Sequence, residues 1–152
     1  MPMKSFRGLI ADDSIETIPL STNDGSTGYR IKKFETIYQN PAGLSAEGVM
    51  KIYTVPQTAT DGTIDFSDQT LIGVAFIENN NSATYFGGKT IVFDNITFNQ
   101  DIYITFEDNG ASHSCNYYIE LEQVKLSLDE NTVATLKDIR NITGPVWANN
   151  II

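Results

Sequence analysis

The segment Asp101-Ile102-Tyr103-Ile104-Thr105-Phe106-Glu107 decides the fold class. Ile102, Ile104 and Phe106 recur at every second position, with Tyr103 and Thr105 between them. Successive side chains of a strand point to opposite faces, so this pattern is a strand with one face in a core and the other wet or contacted. A helix would need apolar residues every three or four positions, and that spacing is nearly absent before residue 127.

On either side, short runs of β-branched and aromatic residues alternate with clusters of Gly, Asn, Asp, Ser and Pro. Strands are expected at Lys4–Ile10, Ile15–Leu20, Tyr29–Tyr38, Gly48–Val55, Thr70–Glu78, Thr90–Phe93, Asp101–Glu107 and Cys115–Leu126. Corners fall at Asn23-Asp24-Gly25, Asp61-Gly62, Gly87-Gly88 and Asn109-Gly110, whose residues tolerate positive φ. Eight strands in 152 residues predict an all-β domain, a β-sandwich or jelly roll of antiparallel strands. In the last strand Cys115, Tyr117, Ile119 and Leu121 share one phase while Val124 and Leu126 take the other, which predicts a bulge, bend or change of sheet near Glu122–Gln123. Pro56 ends its strand, and Gln57–Gln69 reads as a polar surface loop that could hold a short strand at Ile64–Phe66.

One short C-terminal helix is expected from Glu130 to Arg140, with Asp129 as N-cap and Val133, Leu136 and Ile139 on one face. Glu130 suits its positive end, Lys137 and Arg140 its negative end, and Gly144-Pro145 stops it. A helix of about 11 residues is marginal alone in water and must pack on something. The chain therefore reads as a single β-sandwich domain over residues 1–152, with a short N-terminal arm and an apolar C-terminal tail ending on Ile151 and Ile152.

Charge limits the partners. A formal net charge of −9 opposes binding to nucleic acid, whose affinity comes largely from Lys and Arg on phosphates. The cluster Arg30, Lys32, Lys33 is too small to reverse that, and reads as a solvated strand face. No apolar run is long enough to span a bilayer, and Met1–Ile10 lacks a signal-peptide core, so a soluble chain without nucleic-acid or membrane partners is expected. Cys115 stands alone, which rules out an intrachain disulfide.

Catalytic signals are weak. His113 and Cys115 lie two apart and would share a strand face, yet Cys115 opens an apolar face and reads as a small buried filler. Glu120 and Glu122 alternate as the wet side of any strand does. Asp61, Asp65 and Asp68 offer oxygen ligands without the order of a calcium loop. Phosphate-loop, dinucleotide and zinc motifs are absent, and the N-x-S/T triplets at Asn80, Asn95 and Asn141 are what a chain rich in these residues gives by chance. The expectation is no catalytic residues, no metal and no cofactor. Interface candidates are the residues whose apolar or aromatic groups have no place in the strand cores: Phe6, Tyr103, Tyr118, Val146, Trp147, Ile151 and Ile152. Burying large aliphatics contributes on the order of 1.5–3 kcal/mol each, so the tail must fold back on its own sandwich or dock on a neighbour.

Several segments taken together resemble a known group: Thr27-Gly28-Tyr29-Arg30-Ile31-Lys32-Lys33-Phe34, Gly48-Val49-Met50-Lys51-Ile52-Tyr53, Ile64–Asp68, Phe98–Tyr103, Cys115–Val124 and Ala134–Arg140. They are similar to small, mostly uncharacterised proteins of marine tailed bacteriophages, thought to be virion structural components, over roughly Thr27 to Ile142. The resemblance implies a non-enzymatic virion protein made in the host bacterial cytoplasm. A capsid decoration or cement subunit on the head exterior is the leading expectation, bound to the major capsid protein and to copies of itself, with a trimer as one candidate symmetry. The alternative is a tail or spike domain that binds a host surface glycan through exposed aromatics. The family brings no active residues to transfer.

Overall fold

The computed structural model describes residues 2–22, 25–80, 87–109 and 112–127. Among the described residues there are eight strands, β1 (Met3–Ala11), β2 (Ser14–Ile18), β3 (Thr27–Tyr38), β4 (Ala46–Tyr53), β5 (Leu71–Asn79), β6 (Lys89–Phe93), β7 (Ile102–Asp108) and β8 (Ser114–Lys125). They form two antiparallel sheets, a three-stranded one ordered β1-β8-β3 and a five-stranded one ordered β2-β7-β4-β5-β6. The all-β sandwich expected from the alternation is the fold observed. Among the described residues no helix is long and apolar enough to cross a membrane. The expected helix at Glu130–Arg140 and the tail bearing Val146, Trp147, Ile151 and Ile152 lie outside the described residues.

The inter-sheet core follows the period of two. Ile102, Ile104 and Phe106 of β7 are fully buried, and meet Cys115, Ile119 and Leu121 of β8, Phe34 and Tyr38 of β3, and Met50 and Ile52 of β4. The chain passes from one sheet to the other at Asp12-Asp13. Asp13 takes φ 59° there, and its amide donates to Phe106 O at 3.0 Å while that of Asp12 donates to His113 O at 3.1 Å.

Two local expectations need correction. The interrupted register lies on β3, where Ile31 faces Leu121 and Lys33 faces Glu120, leaving Lys32 as the extra residue of a bulge; β8 runs through Glu122–Gln123 without one. The bulge switches the buried phase of β3 from Tyr29 and Ile31 to Phe34, Thr36 and Tyr38. The out-of-phase Leu126 is buried for another reason, since it folds over Gly28, opposite Thr97. The short strand at Ile64–Phe66 is also missing. Asp61, Asp65 and Asp68 each accept from the amide and the hydroxyl of the residue two further on, at 2.6–3.1 Å. Such Asx turns draw the backbone away from a ladder.

That loop meets the outer face of the five-stranded sheet at Lys51 and Glu107, and the same face carries a second apolar cluster of Val49, Tyr53, Leu71 and Val74. Lys51, pointing the same way, is only 4% exposed. Its Nζ donates to Asp61 Oδ1 and to Thr63 O, both at 2.8 Å, and so fastens the loop.

Candidate functional site

The partners of the reactive side chains decide what chemistry is open to them. Asp108 ends β7 in the same inward phase as Ile102, Ile104 and Phe106, and its side chain is fully buried. It accepts from the Tyr38 hydroxyl at 2.8 Å and from the His113 amide at 3.3 Å, and lies 2.8 Å from His113 Nδ1. The Tyr38 ring meets His113 edge-on at 6.2 Å. His113 is thus held by a buried carboxylate and an aromatic ring. Cys115 is fully buried with its thiol directed to Asn116 O, and burial pushes that thiol up to about 12. His113 precedes β8 rather than lying on it, and the histidine and cysteine are directed to different partners.

Carboxylates tell a similar story. Glu120 accepts from the Tyr118 hydroxyl at 3.0 Å, and Glu122 lies 3.9 Å from Arg30 Nη2. Asp61 is held below the usual carboxylate range by Lys51 and Thr63, and Asp65 by Ser67. A further group, which the linear sequence hides, brings Asp12, Asp13 and Glu107 within 4.8 Å at the sheet crossing. Their oxygens are of the kind a hard cation takes, yet local donors already serve them. Asp12 Oδ1 accepts from the Asp108 amide at 2.7 Å, and Thr60 Oγ1 lies 2.9 Å from Asp13 Oδ1 and 2.6 Å from Glu107 Oε2. Two carboxyls this close favour one proton between them: contact with Asp13 raises Glu107, and contact with Glu107 lowers Asp13.

The outer surfaces of the sandwich are where apolar groups meet solvent. On the three-stranded sheet, the pairing of β1 and β3 with β8 sets out the rows Leu9–Asn116–Ile37, Arg7–Tyr118–Glu35 and Ser5–Glu120–Lys33. Leu9 is 43% and Ile37 57% exposed. Together with Arg7, Glu35, Asn116 and Tyr118 they line a shallow depression of 480 Å³. Lys33 Nζ lies 5.6 Å from the centre of the Tyr118 ring. The face is therefore mixed in charge with an apolar end, a composition suited to protein contact.

Among the sequence-derived interface candidates, Tyr118 lies on this outer face and Tyr103 on the opposite surface, packed half-buried against the Val49–Tyr53–Leu71–Val74 cluster. Burial and the nearby Asp101 raise the Tyr103 phenol. Phe6 points inward and packs against the edge of the inter-sheet core. Val146, Trp147, Ile151 and Ile152 lie outside the described residues. The structure does not bring the described candidates together. It adds Leu9, Ile37, Phe66, Val92 and Phe93 as exposed large apolar groups. Ile37 has a readable signal, since it is the apolar residue out of phase with Phe34 and Tyr38.

No protein-family model matches the chain, and a search of curated proteins finds no match either.

Proposed function

We propose that this chain is a non-enzymatic structural protein of a bacteriophage particle, a decoration subunit that holds to the exterior of the head through its outer strand faces. The observation that carries this reading is the division of labour among side chains. His113, Cys115 and Asp108 are taken up by internal partners, whereas Leu9 and Ile37 stand exposed on the outer face of the three-stranded sheet. A sheet face with apolar and paired charged groups supplies binding area, and a subunit that binds only the assembled shell stabilises it by mass action. The net charge of −9 supports a place away from packaged nucleic acid. The resemblance to phage virion proteins over Thr27 to Ile142 supports the same assignment.

The test is co-sedimentation of the purified chain with undecorated capsids of its phage. Binding is expected, with loss on Ile37→Asp at unchanged thermal stability; a chain that stays in the supernatant sinks the proposal. The competing reading, a tail or spike module stacking host glycans, has less support from the tyrosines. Lys33 lies against the Tyr118 ring and Glu120 takes its hydroxyl, while Tyr103 is packed on its own sheet.

A further inference from the structure

The outer face of the three-stranded sheet is a grid whose rows the register fixes. β8 runs down its middle, and the row Leu9–Asn116–Ile37 is followed by Arg7–Tyr118–Glu35, Ser5–Glu120–Lys33 and Met3–Glu122–Arg30. Its ionisable groups balance, Arg7, Lys33 and Arg30 against Glu35, Glu120 and Glu122. The chain as a whole carries a formal net charge of −9. All of that excess lies outside this face, where it opposes the approach of a second copy. The exposed side chains of Leu9 and Ile37 stand at the two ends of the first row, and a contact there removes both from water.

The two flanking columns complement each other. On β1 Leu9 is followed by Arg7, and on β3 Ile37 by Glu35, so each apolar residue has a charge beside it and the two charges are opposite. A second copy related by a two-fold axis along β8, lying in the plane of contact, sets β1 of each chain against β3 of the other. Leu9 then faces Ile37 of the second copy, Arg7 faces its Glu35, and Tyr118 meets Tyr118 on the axis. Within one chain β8 separates Arg7 from Glu35, and Arg7 makes no ion pair among the described residues. Glu35 holds Lys89 through Oε1 at 3.2 Å, and its carboxylate has a second oxygen to offer. Glu120 and Glu122 also come to the axis, but each has a basic neighbour in its own chain, Lys33 in register with Glu120 and Arg30 at 3.9 Å from Glu122. Aligned sheets cross at about 30°, which turns those rows away from a contact centred on Tyr118.

We propose that the free chain pairs with a second copy of itself through this face, β1 over β3, about a two-fold axis along β8. Four rows of three fall short of the roughly 20–30 residues a side of a standard interface, so the pair is expected to dissociate at about 10–100 µM. The pairing does not depend on the assignment to a phage particle, and at that strength a dilute subunit keeps the face open for a shell. Sedimentation equilibrium of the full chain from about 1 µM to 1 mM tests it, and a monomer–dimer equilibrium is expected. Arg7→Glu or Glu35→Arg alone is expected to weaken the dimer by about tenfold, and Arg7→Glu/Glu35→Arg to restore it, since the exchanged charges again face each other. Sheets packed face to face lie about 10 Å apart, so a short bismaleimide is expected to join Tyr118→Cys to its own copy. The native Cys115 is buried and takes no part. Circular dichroism certifies that each variant folds. A chain still monomeric at the highest concentration overturns the proposal, and so does a trimer. A dimer that the charge exchange fails to restore, or that gives no link through Tyr118→Cys, also overturns it. Loss of the dimer on Phe66→Ser/Val92→Ser would overturn it by moving the contact to the exposed apolar groups of the other sheet.

Discussion

The Tyr38 hydroxyl donates to Asp108 Oδ1 at 2.8 Å, joining β3 of one sheet to the end of β7 in the other. The carboxylate it reaches is fully buried and also takes the His113 amide. Burial and Asp108 itself push the phenol far above its ordinary value, so Tyr38 remains a donor wherever the protein folds. The ring reaches this position because Gly48 has no side chain: a Cβ there would lie 2.5 Å from the Tyr38 oxygen and 2.8 Å from Phe106 Cε1.

Removing the hydroxyl in Tyr38→Phe is expected to cost about 1.5–3 kcal/mol, the range for a hydrogen bond to a charged group. Urea unfolding should show a lower midpoint at unchanged slope. Gly48→Ala should cost about 1–3 kcal/mol by crowding the same spot. The two changes should not add, since loss of the phenol oxygen in Tyr38→Phe vacates the space that the new methyl needs. A strictly additive double variant would contradict this packing.

Asp101 governs the acid limit at the other end of the sheet. Burial pushes its carboxyl up, but hydrogen bonds from the Leu20 amide at 2.7 Å, the Ser21 amide at 2.9 Å and Ser21 Oγ at 3.0 Å outweigh it and leave the group below the usual range. A depressed folded-state pKa stabilises above the unfolded value, and that contribution disappears as pH falls through the folded one. Asp101→Asn should therefore lower thermal stability at neutral pH, and the gap to the unmodified chain should close below about pH 4. A gap still open at low pH would rule out the charge as its source.

Cys115 should be inert in the folded protein. With the thiol buried and raised to about 12, alkylation by iodoacetamide is expected to follow the rate of global unfolding and to reach one label per chain only in denaturant. Rapid labelling of the native chain would contradict its placement.

Lys51 should control the loop more than the sheet. Burial favours the neutral amine, yet the hydrogen bond to Asp61 and the nearby Tyr53 phenol hold its pKa above the ordinary value. Lys51→Met keeps the stem that packs on the sheet and loses the bonds to Asp61 and Thr63. Chymotrypsin cleavage at Phe66 is expected to quicken by about tenfold, with the strands still protected. An unchanged cleavage rate would mean that the contacts of Thr60 with Asp13 and Glu107 hold the loop without the lysine.

Much of the fold is legible because the inter-sheet core writes itself as a period of two. Ile102, Ile104 and Phe106 announce β7, and each expected strand has its counterpart within a few residues. The bulge is legible too, in the three-residue step from Ile31 to Phe34, but the phase change of Val124 and Leu126 draws it to β8, where it arises for a different reason. The functional surfaces are harder to read. A periodic pattern says which residues share a face but not what else covers that face, so it cannot tell that Val49 and Val74 are buried on the outside of one sheet while Leu9 and Ile37 stay open on the outside of the other. Asp108 carries a readable sign, an acid in the inward phase of β7, whose meaning requires Tyr38 and His113 from other parts of the chain.

The strand order has a consequence for how the molecule is made. β8 is the middle strand of its sheet and pairs with β1 on one side and β3 on the other, with Met3 opposite Glu122. A chain emerging from the ribosome thus holds both outer strands of that sheet long before the strand that joins them. Contacts between such distant residues close slowly, and until they close, the edges of β1 and β3 and the apolar side chains beneath them remain exposed to other nascent chains. Yield in the cell will therefore be set largely by how quickly residues 114–125 are delivered and captured.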